Sequence, residues 1–370
     1  MKVAHLIAPG PIAGAERVVL GGVAALRRLG VDARLVVLGD ARVPEAARAF
    51  ADAALEQRVG ARIVWAAGRL DPRALLTLAR ELRATSPDLL HVHGYRALFY
   101  ALAAGGTAPL VATHHGVTSH DARVRLYERL AYALCRLPRV RRVLAVSAAG
   151  EAELRAHGIA PERIARVPNF LALDAPIPPT APPDGRPLRL LFLGRLSPEK
   201  GLDVLLAALA LPGAPPATLD VVGDGPERAR LTALASQAGL TGRVTFHGFQ
   251  AAVAPFLAAA DALAMPSRRE GLPMALIEAV ASARPVVATA VGGIPELVTA
   301  GDNGELAPPD DPTALAEAMA RLAAALPERQ AAAGDRARRT RDTYSPEAWA
   351  RATLRAYEAA TAPEDSRFTG

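Results

Sequence analysis

Glu270 and Glu278 stand eight residues apart in the run Glu270-Gly271-Leu272-Pro273-Met274-Ala275-Leu276-Ile277-Glu278. The apolar run Asp261–Ser267 ahead of them reads as a buried strand, and Met274–Ala283 reads as a helix. Pro273 is predicted at the first helical position, where its missing N–H would be unpaired anyway. Glu270 then lies in the loop at the strand's carboxyl end, and Glu278 lies about two turns further along. Between them Gly271 and Leu272 are predicted to expose backbone N–H groups at a helix start, which attracts phosphate. One carboxylate before the helix and one within it can hold hydroxyls on either side of a bound diphosphate. That is the chemistry of a nucleotide-sugar site.

A second group carries positive charge. Gly194-Arg195-Leu196-Ser197-Pro198-Glu199-Lys200-Gly201 follows another apolar run. Lys200 and Lys2 are the only lysines among 43 lysines and arginines. A chain that writes nearly every cation as Arg yet keeps Lys here suggests a need for a compact ammonium. Arg195 and Lys200 could clamp a diphosphate and neutralise a leaving group; an ordinary charged surface turn is the alternative. Gly14, in Gly10-Pro11-Ile12-Ala13-Gly14, would let a phosphate approach a helix N-terminus, although many strand-to-helix turns use glycine for geometry alone.

Histidines form the third group. Thr113-His114-His115-Gly116 ends a predicted strand, and alternation sends the two rings to opposite sides. One ring is then free to face a substrate while the other packs. His91 and His93 share one strand face and read as satisfied core histidines. His5, His120, His157 and His247 carry no usable signal, and no Cys or His cluster shows zinc spacing. The single Cys135 reads as a buried, inert thiol.

The elements that position these residues alternate. Strands are predicted at Val3–Pro9, Ala33–Gly39, Arg62–Ala67, Asp88–His93, Leu110–His115 and Arg142–Ser147, with helices including Ala15–Leu29, Pro72–Ala84 and Val124–Arg136. The prolines of Asp174–Pro187 interrupt the pattern and favour an extended linker. It then restarts, with strands at Leu188–Gly194, Leu219–Gly223, Val244–Gly248, Asp261–Met265 and Pro285–Thr289. Helices follow at Leu202–Leu211, Glu227–Ala238, Ala251–Ala260 and Met274–Ala283. Short apolar strands without strict alternation, separated by helices, predict parallel, doubly wound sheets that bind ligands at their carboxyl ends.

Composition bounds the rest. A chain of 370 residues exceeds one ordinary core, so two domains are expected. Hydrophobic residues at 51% and charged ones at 22% mark a globular protein. Aromatics are only 4%, so Ala, Leu and Val must build the interior. Met1–Gly10 reads as a first strand and not a signal peptide, and no apolar run is long enough to span a bilayer; a cytoplasmic location is expected. The net charge is +6, with Arg clusters at Arg139–Arg142 and Arg336–Arg341. Without aromatic platforms beside them, nucleic acid is not the expected partner. A solvated surface and peripheral docking on an anionic membrane both remain open.

The whole combination resembles the retaining glycosyltransferases of family 4, which carry the GT-B fold. The matching pieces are Gly14–Val19, Asp88–His93, Thr113–Gly116, Val146-Ser147, Val167–Asn169, Gly194–Gly201, Gly223–Pro226, Pro266-Ser267, Glu270–Glu278 and Gly292–Glu296. The resemblance implies an α/β fold: two doubly wound Rossmann-like domains facing each other across a cleft. It implies an acceptor-binding domain at 1–175, a Pro-rich linker at 176–187 and a nucleotide-sugar domain at 188–345. The helix in 346–370 would cross back to the first domain. The implied catalytic residues are His115, Arg195, Lys200 and Glu270. Gly14, Gly194, Phe249, Gly271, Leu272, Pro273 and Glu278 are implied on the donor, with Glu278 on the ribose and Phe249 near the base. The implied reaction moves a sugar from a nucleotide-diphosphate sugar to a hydroxyl of a glycan, lipid-linked or small-molecule acceptor. It keeps the anomeric configuration and uses neither metal nor cofactor. Two positions depart from the family pattern: Ala13 stands where a second Gly is usual, and Phe170 where Gly is common. A sugar-nucleotide epimerase, a phosphorylase and an inactive scaffold of the same fold are the alternatives.

Overall fold

The computed structural model describes residues 1–10, 12–68, 70–116, 122–171, 177 and 185–363, side chains at 122–126 excepted. Most of the segment predicted as linker lies outside the described residues. The described chain divides into two compact units, one of residues 1–116, 122–170 and 345–363 and one reaching to Tyr344 from Leu171.

The first unit holds β1 (Lys2–Ile7), β2 (Asp32–Asp40), β3 (Ala61–Ala66), β4 (Leu89–His93), β5 (Leu110–His114), β6 (Val140–Ala145) and β7 (Ile164–Arg166). They form one sheet in the order β3-β2-β1-β4-β5-β6-β7, and every neighbouring pair is parallel. All five residues of β4 are buried, as a strand covered by helices on both faces requires. The strand order reverses between β1 and β4, which makes their carboxyl ends the switch point where such sheets bind ligands. The helix Pro346–Thr361 packs on the helix Gly14–Arg28 of the same unit. Ser345 caps it by accepting from the Ala348 N–H at 3.2 Å, and Trp349 meets Phe170 edge-on at 5.7 Å.

The second unit holds β8 (Leu188–Leu193), β9 (Ala217–Val222), β10 (Val244–Gly248), β11 (Ala262–Met265), β12 (Val286–Thr289) and β13 (Gly304–Ala307), in the order β10-β9-β8-β11-β12-β13. This sheet is also parallel, and its switch point lies between β8 and β11. Leu190, Phe192, Leu219 and Val221 of its strands pack with Leu202, Leu205 and Leu206 of the following helix in an almost purely aliphatic core. No helix of the described residues is long and apolar enough to cross a membrane.

Most element ends shift by a residue or two from expectation, and three of the differences have a visible cause. β6 runs over Val140–Ala145, not Arg142–Ser147, because Ser147 is the N-cap of the next helix and accepts from the Gly150 N–H at 3.1 Å. The helix expected from Ala251 spans only Ala254–Ala259; Pro255 lacks an N–H and fits only a first turn. Pro273 is the N-cap of the helix Met274–Ala281, with ψ at 132°, and Met274 opens the helix.

Candidate active site

In the second unit, the loops leaving β8 and β11 meet at the switch point. After β8, Leu196 donates to the Asp224 carbonyl at 3.0 Å, and a single 3-10 turn covers Pro198–Lys200. Gly201 ends that turn at φ +64°, and a Cβ there would sit 2.0 Å from the Pro266 carbonyl oxygen. Only glycine permits the two loops to touch. Arg268 fastens the other loop. Its backbone N–H donates to the Glu199 carbonyl at 2.8 Å, and its guanidinium grips both Asp203 oxygens at 2.9 Å. The Thr289 hydroxyl donates to the Ser267 carbonyl, and the Gly293 N–H donates to the Gly271 carbonyl at 2.7 Å. Gly292 completes the clasp, because a Cβ on it would lie 2.0 Å from the Glu270 carbonyl oxygen.

This bracing brings Lys200 and Glu270 together. The Lys200 ammonium donates to both Glu270 oxygens, at 2.7 and 2.9 Å, and the Ser267 hydroxyl donates to one of them at 2.7 Å. The Glu270 side chain is only 4% exposed and that of Lys200 22%. A buried ion pair is weak support for stability, because desolvation offsets the attraction. Here it holds a compact cation and a carboxylate at a sheet's ligand-binding end, and an ammonium has three donors.

Glu278 lies on the helix Met274–Ala281 and is 4% exposed. Gly271, Leu272 and Pro273 are buried instead of forming the exposed helix start that was expected. Gly194 follows β8, and Gly223 packs so closely on it that a Cβ there would lie 1.8 Å from the Gly194 carbonyl oxygen. Arg195 is exposed and, among the described residues, its guanidinium has no partner. Phe249 follows the edge strand β10 and is 62% exposed, beside His247, whose Nε2 meets Asp220 at 2.6 Å.

The bracing makes a direct prediction. Gly201→Ala forces a side chain into a backbone carbonyl at a left-handed φ, at a cost of about 2–4 kcal/mol. Thermal unfolding of the variant is expected several degrees lower, with weaker nucleotide binding. Unchanged melting and binding would show that the loops tolerate separation.

In the first unit, Gly14 opens the helix that follows β1, as the sequence suggests. The Glu16 carboxylate already takes the backbone N–H groups of Gly10 at 3.1 Å and Ala13 at 3.2 Å. The helix start thus carries its own anion. The two histidines at the end of β5 part company. His114 meets Glu153 at 3.3 Å, and Glu153 also accepts from the Tyr132 hydroxyl at 2.8 Å. His115 turns to His93, ring centres 5.9 Å apart, and neither of its buried nitrogens has a partner. Burial lowers the His115 pKa to about 4, so the ring is neutral. Its neighbourhood includes a cavity of about 150 Å³ lined by Gly94, Tyr95, His115, Glu128 and Cys135. Burial pushes the Cys135 thiol up to about 12, which removes thiolate chemistry. Arg139, from the first Arg cluster, donates to the carbonyls of Ala101 and Ala108, so part of that cluster is structural.

Sequence reasoning missed His5 and Tyr357. His5 of β1 stands opposite His91 of β4, and one ring nitrogen from each of His5, His91 and His93 lies within 4.8 Å of the other two. The signal available was the His91, His93 spacing; the neighbouring strand could not be read from it.

Comparison with known proteins places this geometry in a class and then a family. The fold matches GT-B structures. Anabaena HepE in complex with UDP-glucose superposes at a TM-score of 0.81 with 24% identity, covering 97% of this chain and 100% of that one. The lipopolysaccharide outer core galactosyltransferase WaaB superposes at 0.74 with 20% identity, covering 97% and 99%. The family model described as Glycosyltransferase Family 4 matches residues 12–175, and that described as Glycosyl transferases group 1 matches residues 187–325. The 2-deoxystreptamine glucosyltransferase of Streptomyces kanamyceticus is 31% identical over 282 residues, covering 67% of this chain and 72% of the relative. The 2-deoxystreptamine N-acetyl-D-glucosaminyltransferase of Streptomyces fradiae is 33% identical over 278 residues, covering 66% of this chain and 65% of the relative. The match thus spans less than two thirds of that second relative. The chain belongs to the family 4 glycosyltransferases of the GT-B fold.

Proposed function

We propose that this protein transfers a sugar from a UDP-sugar to a hydroxyl of a small polyhydroxylated acceptor, with retention and without a metal ion. The observation that carries this reading is the Lys200–Glu270 pair, braced at the β8/β11 switch point. The second unit is the donor side. Lys200 and Arg195 take the diphosphate, Glu270 takes hydroxyls of the donor sugar, and Glu278 takes the ribose. Gly194 and the buried Gly271–Pro273 backbone pass close to the phosphates and sugar, and exposed Phe249 offers a face to the base. The first unit, with His115, is the acceptor side, and its Gly14 backbone reaches the donor's phosphates. UDP-glucose in HepE supports the choice of nucleotide, and the names of the two Streptomyces relatives support a small acceptor.

The mechanism follows from charge. As the glycosidic bond breaks, the β-phosphate gains negative charge, and fixed cations beside it lower the barrier. The acceptor hydroxyl attacks from the face that the nucleotide leaves, and the departing phosphate takes its proton. No side-chain nucleophile is needed, so Glu270 orients and does not attack. NMR of the product from UDP-glucose and 2-deoxystreptamine in excess EDTA tests retention and metal independence together. An α-linked product at full rate is expected. A β-linked product, or activity that returns only with Mg²⁺ or Mn²⁺, would overturn the corresponding part.

A further inference from the structure

One continuous hydrogen-bond chain runs through the core of the first unit at its switch point. Thr113 Oγ1 meets His91 Nε2 at 2.7 Å, and His91 Nδ1 meets the Tyr357 hydroxyl at 2.6 Å. The same hydroxyl meets His5 Nε2 at 3.2 Å, and His5 Nδ1 meets His93 Nε2 at 3.2 Å. There the chain stops, because His93 Nδ1 is buried and has no partner. His115 beside it contributes two more unpartnered ring nitrogens.

The protons in such a chain must all point one way. A neutral imidazole has one N–H and one lone pair, and a phenol has a single proton to donate. Burial keeps these rings neutral and the phenol protonated. Two directions are therefore self-consistent; the Thr113 contact at 2.7 Å fits either donor, and the two unequal contacts of the Tyr357 hydroxyl select one. Bonds donated by O–H are shorter than those donated by N–H. The 2.6 Å contact is the Tyr357 hydroxyl donating to His91 Nδ1, and the 3.2 Å contact is His5 Nε2–H donating to Tyr357. The rest follows. His91 Nε2–H donates to Thr113, His93 Nε2–H donates to His5 Nδ1, and His93 Nδ1 is left as a lone pair.

We propose that His93 accepts a hydrogen bond from a hydroxyl of the acceptor through Nδ1, and that Tyr357 and His5 are positioning residues that fix that lone pair. A buried acceptor atom without a donor implies an absent partner, and the β1/β4 switch point is where this sheet binds ligands. A hydroxyl suits the site because it donates to His93 and still accepts from elsewhere. His91 commits both nitrogens to Tyr357 and Thr113, which favours a hydrogen-bonded core over a cation site. This inference rests on the proposed transfer to a small acceptor.

The test is nitrogen NMR of histidine-labelled whole protein, with 2-deoxystreptamine as the probe. His5, His91 and His93 are expected as single Nε2–H tautomers, and the probe is expected to shift His93 Nδ1 while UDP alone does not. Tyr357→Phe removes the donor to His91 and the acceptor for His5, so His93 should lose its single tautomer. The same variant should raise KM for 2-deoxystreptamine at least tenfold and leave KM for UDP-glucose unchanged. Thr113→Val cuts the far end and should leave the His93 tautomer intact. His93 found as Nδ1–H, or a His93 signal indifferent to the probe, overturns the proposal. Absence of UDP-sugar turnover is a separate result that overturns the transfer reading and leaves the tautomer assignments standing.

Discussion

Replacing Lys200 by alanine is expected to lower kcat/KM for sugar transfer by about 10²–10³-fold, the usual loss when one preorganised charge at a developing anion is removed. The same change should also weaken the fold. Glu270 would keep only the Ser267 hydroxyl in a site where its side chain is 4% exposed. Stranding a buried carboxylate costs about 3 kcal/mol, so lost activity alone would not separate catalysis from folding. A paired variant does. Lys200→Met with Glu270→Gln removes both charges and keeps the volumes, and should recover most of the melting temperature. Activity should stay at or below the level of Lys200→Ala, because the proposed phosphate-facing cation is still missing and the Glu270 carboxylate is gone as well. Recovery of activity along with stability would reduce the pair to a structural contact.

The second large effect is acid lability of the first unit. Burial holds the His5 ring neutral down to about pH 3, and burial likewise holds His91 and His93 far below the ordinary imidazole value. The unfolded chain takes up these protons near pH 6.5, so below that pH it binds more protons than the folded chain. Stability is therefore fully present above about pH 6.5 and is lost progressively as pH falls toward 3. At pH 5 each such ring costs about 2 kcal/mol, and a domain has only about 5–15 kcal/mol in total. Both tryptophans, Trp65 and Trp349, belong to the first unit, so tryptophan fluorescence reports its unfolding. The melting midpoint by this signal should fall steeply between pH 7 and 5. A flat profile over that range would mean that the histidine cluster is hydrated or charged in the folded protein.

The elements were legible in the sequence because both sheets are parallel and covered on two faces, which leaves short apolar runs such as Leu89–His93 between helices. Lys200 stood out by residue choice, and Glu270 by its place after a buried strand. Their contact with each other did not stand out. They lie 70 residues apart and meet only because β8 and β11 are sheet neighbours, a fact of topology and not of local pattern. His5 and Tyr357 were hidden for the same reason: the latter is 352 residues from the former, and only the return of the last helix to the first sheet joins them. Pro273 was misplaced by one residue because an N-cap and a first helical position both suit proline, and the extended ψ that separates them leaves no mark in the sequence. Gly271 and Leu272 were expected at an exposed helix start. Gly292 and Arg268 instead hold that loop inward.

Lys200 is expected to meet the donor's phosphates and not merely Glu270. Calorimetric titration of UDP and of uridine into the wild-type protein and Lys200→Ala tests it directly. UDP is expected to bind the variant at least tenfold more weakly, by about 1.4 kcal/mol, with uridine binding unchanged. Equal UDP affinity in both proteins, or a parallel loss of uridine binding, would contradict this expectation.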